Sequence, residues 1–542
     1  MAKDSEENFA KVRTTSFGIF PEVCAPVFLV SAGLIIAFII FGAGFTGTAE
    51  GVFMDVQSWI SSSFGWFYIL SASIFLIFVI ALMASRYGHV RLGDPFESPR
   101  FSLVGWFAML FSAGMGIGLL FWSVAEPLFH YMSPPHGEGE SAEAAIRAMR
   151  YTYYHWGLHP WAIYSVTGLS IAYFAFRQKL PLTIRSAFYP LLGDRIYGPI
   201  GHLIDILAVF GTMFGVATSL GLGVLQINAG LNHVFGITES SFTQVVLIAI
   251  ITGFATISVV LGLTKGIQRL SQFNIIVSVI LLLFILVAGP TLFILRFFVE
   301  TSGDYLQNLI GMSFWNDTFA NTGWQNSWTI FYWGWWISWA PFVGMFIARV
   351  SRGRTIREFV LGVLLAPTLA TFVWLSIFGG TALDLEVNQG VGLAAAAQEN
   401  VATTLFVMLE ELPWNAIISL IAVIMIVSYF VTSSDSGSLV IDMLTAGGHT
   451  DPPKSQRIFW AVTEGVVAAV LLVAGGLEAL QAASITAGLP FCVIMLGMCY
   501  CLVKGLREEP ITPDPQETEP EAPSETMGEI SSDENEASPA SS

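Results

Sequence analysis

"FYWGWWISWAPF", residues 331–342, holds four tryptophans within seven positions and no charge. Where those indoles sit relative to a bilayer decides how the chain folds. Tryptophan is common at the two membrane interfaces, where its ring meets lipid and its N–H meets water. This run instead occupies the middle of an apolar stretch, 328–348, that is long enough to cross a bilayer at about 20 residues per span.

Working outward, the same kind of stretch recurs along the chain. Of 542 residues, 54% are hydrophobic and only 12% are charged, where a soluble protein carries about a quarter. Twelve spans are predicted, near 23–45, 66–85, 103–124, 152–176, 203–230, 243–263, 272–295, 328–348, 358–380, 414–433, 458–476 and 482–503. The first starts too late, and runs too long, for a cleaved signal peptide. The fold class is therefore an all-α integral membrane protein.

Basic residues test the count, because cytoplasmic loops are enriched in Lys and Arg. With the N-terminus inside, 20 of the 23 Lys and Arg residues fall on the cytoplasmic side. Only Arg147, Arg150 and Arg296 fall outside. An error in the count would scramble this alternation. Residues 1–22 form a cytoplasmic segment, 23–505 the helical domain, and 506–542 a cytoplasmic tail.

The net charge of −17 is mostly that tail. After Arg507 come eleven acidic residues and no basic one. Rich in Pro, Ser and Glu, the tail is expected to be disordered and solvating rather than a docking segment. Cys24, Cys492, Cys499 and Cys501 all lie in apolar spans, so they are expected to be small core residues rather than a disulfide framework.

Two spans contain helix-breaking residues. The third reads "FSAGMGIGLLFWSVAEP", with Gly114, Gly116 and Gly118 at alternate positions. Glycine weakens a helix interior, and exposed backbone in lipid is tolerated only beside a cavity. Close packing usually wants small residues four apart, so the alternate spacing predicts an unwound segment. The eighth span carries Gly334, Pro341 and Gly344 and is expected to be interrupted too. Broken spans five apart suggest two inverted five-helix repeats, spans 3–7 and 8–12, with a site between them.

At 100° per residue, Trp339, Tyr332 and Trp336 fall about 40°, 60° and 100° from Trp335. Trp333 falls about 160° away, on another side. An aromatic face at mid-membrane suits a cation stripped of its water, and quaternary ammonium groups are frequent guests of such cages. The fourth span adds "YTYYHWGLHPWAIY", with Trp156, Trp161 and Tyr164. His155 and His159, four apart, have no nearby Cys or carboxylate in sequence and are read as structural. Glu126 and Asp435 are the acids nearest the breaks. Neither has a His or Cys at a catalytic motif spacing, so Glu126 is read as a helix-end residue and Asp435 as polar glue at a span end.

"GMGIGLLFWSVAEP", "HWGLHPWAIY" and "WTIFYWGWWISWAPFVGMFIARVSRGRTIREF" resemble the betaine/choline/carnitine transporter family, over about residues 15–505. The resemblance implies a twelve-helix secondary transporter of the cell inner membrane with inverted repeats, both termini cytoplasmic and a homotrimeric assembly. It implies an onium substrate held by Trp156, Trp161, Tyr164, Trp335, Trp336 and Trp339, with Gly114, Gly116 and Gly118 lining the site. Members with glycine at the position of Gly118 resemble sodium-coupled betaine carriers; proton-coupled choline carriers have aspartate there. The expectation is sodium-driven symport of a zwitterion such as glycine betaine. Proton-coupled choline transport, or sodium-coupled transport of ectoine, carnitine or dimethylsulfoniopropionate, is the alternative.

By the same resemblance, the main sodium site uses Tyr429, Thr432 and Ser433 with carbonyls at Ser112 and Met115. Thr212 and Phe342 match a second site, but Val216 offers no hydroxyl where the family has one. Sodium is the coupling ion, no other cofactor is expected, and no nucleic-acid partner is expected. The acidic tail argues against osmosensing through a basic C-terminal helix. A channel would need a continuous polar pore, a receptor an appended domain, and an enzyme a catalytic group; none is apparent in the sequence.

Overall fold

The computed structural model describes residues 12–114, 116–261 and 264–509, the side chains at 111–114 and 260–268 excepted. Apart from a small hairpin of β1 (Thr15–Phe17) and β2 (Phe20–Val23), the regular structure is helical. Helices satisfy every backbone N–H and C=O within one segment, which lipid demands. Nine helical segments among the described residues are long and apolar enough to cross a membrane.

α1 (Ala25–Gly44) and α2 (Thr46–Ala84) match the first two predicted spans, α2 beginning twenty residues early. The third predicted span is two helices, α3 (Leu103–Gly114) and α4 (Ile117–Met132). Gly116, at φ −160° and ψ −172°, is extended between them, so the expected break is present. The fourth span also divides, into α5 (Ala142–Trp156) and α6 (Leu158–Ala172), at Gly157. That break was not anticipated. A methyl on Gly157 would stand 2.9 Å from the Phe372 ring.

α7 (Pro199–Phe235), α8 (Ser241–Leu261) and α9 (Thr264–Ala288) follow. The seventh span was expected to run to residue 295; it stops at Ala288, and a further helix, α10 (Thr291–Phe314), takes up the supposed outer loop. Asp304 of α10 forms an ion pair with Arg150. Mixed polar and apolar composition hid this helix from a hydropathy reading.

α11 (Thr329–Val350) contradicts the expected interruption of the eighth span, since it is one continuous helix through Gly334, Pro341 and Gly344. The glycines serve close crossings instead. A methyl on Gly334 would lie 2.8 Å from the Cα of Ile485, and one on Gly344 would lie 2.7 Å from the Thr167 side chain. Backbones can approach this closely only where no Cβ intervenes.

α12 (Ile356–Val387) and α13 (Asn415–Thr445) come next. α13 runs twelve residues past its predicted end, so Thr432 and Ser433 are mid-helix. Asp435 is not at a span end either, but it does act as polar glue, pairing with Arg457 at 2.8 Å. The last element, α14 (Lys454–Arg507), spans 54 residues but has non-helical backbone at Gly475 and Gly476, where the last two predicted spans meet. All four cysteines are free and buried, as expected. α14 packs on α7, α2 and α11, and α11 lies along α6.

Residues 1–11 and 510–542 lie outside the described residues. Of the tail's acids, Glu509 is docked rather than solvated. It accepts hydrogen bonds from Arg177, at 2.7 Å, and from the Tyr173 hydroxyl, at 3.0 Å.

Candidate functional site

The crossing of α6 and α11 places six aromatic side chains around one cavity. Trp156 closes α5, Trp161 and Tyr164 face in from α6, and Trp335, Trp336 and Trp339 face in from α11. Gly116 at the α3–α4 break and Gly118 and Leu119 in the first turn of α4 line it as well. Trp335 and Trp336 stack at 4.6 Å and 14°. Trp156 meets Trp336 edge-on at 4.9 Å, and Trp161 meets Tyr164 edge-on at 5.5 Å. Free volume is only about 30 Å³, so the side chains themselves nearly fill the box. Trp333 points elsewhere and stacks on His159 at 5.4 Å, as the helical geometry requires.

Two indole N–H groups on this cavity, those of Trp335 and Trp339, have no hydrogen-bond partner among the described residues. A buried unpaired donor is costly, so these two are free to receive an acceptor. The site therefore offers aromatic faces to a cation.

Gly118 is in the helix, not in the break. A methyl there would stand 2.3 Å from the Trp335 ring. Gly118 thus makes the space in which Trp335 lies. Gly118→Asp is expected to push Trp335 out of the box and to abolish zwitterion uptake, which labelled betaine uptake by the variant checks. Of Gly114 and Ser112 only the helical backbone is described, and Met115 lies outside the described residues.

A second cavity, of about 110 Å³, adjoins the first, and Gly116 and Trp339 line both. Its other walls include Phe342, Tyr429, Thr432 and Ser433, together with Ser271, Asn274 and Ser436. The Thr432 hydroxyl donates to the Tyr429 carbonyl at 3.1 Å and accepts from Asn274 Nδ2 at 3.3 Å. Sequence reasoning missed Asn274, although an amide inside an apolar span is itself a signal. Thr212 lies on α7, which packs on α11, with its buried hydroxyl unpartnered among the described residues. Val216 packs beside Gly437 and supplies no oxygen.

Comparison with known proteins now decides what kind of molecule this is. The description "BCCT, betaine/carnitine/choline family transporter" matches residues 26–511. The chain belongs to the betaine/carnitine/choline transporter family. It is similar to a probable glycine betaine transporter of Desulfitobacterium hafniense, 47% identical over 89% of this chain and 97% of the relative. Glycine betaine transporter OpuD of Bacillus subtilis is also 47% identical, over 89% and 94%. A glycine betaine/proline/choline/ectoine transporter of Vibrio parahaemolyticus is 48% identical, over 89% and 87%. As a betaine/carnitine/choline-family protein the chain is a multi-pass membrane carrier of an onium-type solute, and it is not an enzyme.

Glu126 is not a helix-end residue. It is fully buried within α4. Nor does His155 lack a carboxylate: its Nδ1 is 2.7 Å from Glu126 Oε1. His130, one turn along α4, approaches the same oxygen at 3.2 Å. Trp156 Nε1 and the Tyr332 hydroxyl donate to Oε2 at 2.8 and 2.5 Å. The i,i+4 spacing of Glu126 and His130 was legible; the other three partners come from distant helices. His159 is structural, within 3.1 Å of the Ser313 hydroxyl.

Proposed function

We propose that the protein takes up an onium zwitterion such as glycine betaine by sodium-driven symport. The observation that carries the substrate is the narrow aromatic cavity, two of whose tryptophans have unpartnered indole N–H groups. The trimethylammonium group would meet the ring faces, where a desolvated cation–π contact is worth about 2 kcal/mol or more. The carboxylate would take the free N–H donors of Trp335 and Trp339. Choline would offer these donors one neutral hydroxyl oxygen in place of two carboxylate oxygens, and charge-assisted hydrogen bonds are the stronger, which favours the zwitterion. Three transporters to which the chain is similar are all named for glycine betaine.

Sodium is supported by oxygen chemistry. Hard cations take oxygen ligands, and the second cavity gathers hydroxyls of Thr432, Ser433 and Ser436 beside the amide of Asn274. Its shared wall with the aromatic box, at Gly116 and Trp339, would let ion occupancy bias the box. We read the architecture as twelve spans in two inverted repeats, trimeric in the cell inner membrane with both termini cytoplasmic. The distribution of basic residues supports the orientation.

The test is uptake of labelled glycine betaine by reconstituted vesicles with and without an inward sodium gradient. Uptake that follows the gradient, with competition by other onium zwitterions, is the expected result. Uptake indifferent to sodium but driven by a proton gradient would overturn the coupling assignment.

A further inference from the structure

The Glu126 carboxylate lies directly behind the aromatic box with four donors arranged around it, two on each oxygen. Two of those donors are histidines, so the charge of the group must be counted. His155 gives Nδ1–H to Oε1, and its Nε2 faces the Thr329 hydroxyl at 3.0 Å, which can donate to it. A neutral ring satisfies both sides. His130 gives Nε2–H to the same oxygen, and its Nδ1 has no partner among the described residues. A second proton on His130 would create an unpaired buried N–H. Two neutral imidazoles and one ionised carboxylate satisfy these contacts, as does a protonated carboxyl that donates to His155 Nδ1 while Nε2–H turns to Thr329.

Resting on the zwitterion reading above, we propose that Glu126 is ionised and is the fixed counter-charge of the aromatic box. It positions Trp156 through the indole N–H and biases the cavity toward a cationic head group. The physical basis has two parts. An indole that donates to a carboxylate gains electron density on its ring, and the ring face is what attracts the cation. A carboxylate out of water is also poorly screened, so its potential reaches across the indole it holds. Glu126 need never touch the substrate to act in this way.

The rival explanation is that the network only ties α4 to α5 and α11. A second rival is a metal centre, because ligand atoms of Glu126, His130 and His155 lie within 4.8 Å of one another. The charge account alone predicts discrimination by head-group charge. Glycine betaine and 3,3-dimethylbutanoate have the same shape and carboxylate, and differ in a cationic nitrogen against a neutral carbon. Binding of each to the purified full-length protein is read by quenching of tryptophan fluorescence. Glu126→Gln keeps the size and an acceptor but removes the charge. It is expected to weaken betaine roughly tenfold while shifting the neutral isostere by less than about twofold. Glu126→Asp, which retains the charge, is expected to recover most of the betaine preference.

An equal loss for both ligands in Glu126→Gln would overturn the proposal in favour of a structural tie. Stoichiometric zinc binding to the wild type that is lost in Glu126→Gln would overturn it in favour of a metal centre. Should Glu126→Gln fail to fold, Tyr332→Phe decides. That change removes one donor, leaves the charge less neutralised, and is expected to keep or raise the betaine preference; a fall would overturn the proposal. If the wild type binds neither ligand, the zwitterion reading itself fails, a result distinct from any change in the ratio.

Discussion

Thr432→Ala combined with Ser433→Ala is expected to reduce sodium-driven uptake to background. Both side chains line the cavity that adjoins the aromatic box, and both stand in the middle of α13. A sodium ion entering that cavity must replace its water with protein oxygens. The Thr432 hydroxyl already donates its proton to the Tyr429 carbonyl, which turns a lone pair outward. The double change removes both hydroxyls and leaves a residue that favours helix, so α13 should persist. Uptake of labelled betaine into vesicles, with sodium against potassium outside, gives the answer. Sodium-stimulated uptake in the double variant would move the ion to another site. Asn274→Ala, which deletes an amide on the same cavity, is expected to raise the sodium concentration needed for half-maximal uptake.

Trp339→Leu is expected to raise the half-saturation concentration for substrate roughly 30-fold, the equivalent of losing a cation–π contact of about 2 kcal/mol. Trp339 lines both cavities, and Gly215 of α7 gives it room: a methyl there would lie 2.6 Å from its Cδ1. Trp333→Leu supplies the contrast. Trp333 is fully buried against His159 and Tyr154, away from the box. Its loss is expected to lower thermal stability, by about 2 kcal/mol or more for a large core truncation, and to leave half-saturation unchanged. Uptake kinetics and a thermal melt of the two variants separate these effects. Similar half-saturation shifts in both would refute the assignment of faces on α11.

The aromatic box was legible because it is a local property written twice. Three tryptophans share a face of α11 by helical geometry alone, and three more aromatics lie within nine positions, 156–164, of the fourth span. The break at Gly116 was legible because close packing usually wants small residues four apart, whereas these glycines alternate. The same reasoning failed for α11. Gly334 and Gly344 looked like breaks and are close crossings, against Ile485 and Thr167. A glycine reads alike in sequence whether it bends a helix or admits a neighbour.

The sequence by itself determined that the chain is built from long apolar helices and which surface of α11 is aromatic. Those follow from hydropathy and from a fixed rotation per residue, both of which act along the chain. Only the tertiary structure decided that Glu126 sits behind the box, with His155 and Tyr332 brought to it from 29 and 206 residues away. It alone decided that Trp335 occupies the space left by Gly118 and that Asn274 shares a cavity with Thr432. The reason is physical. Lipid constrains each helix separately, whereas a buried polar group must find its partner on whichever helix happens to pack beside it.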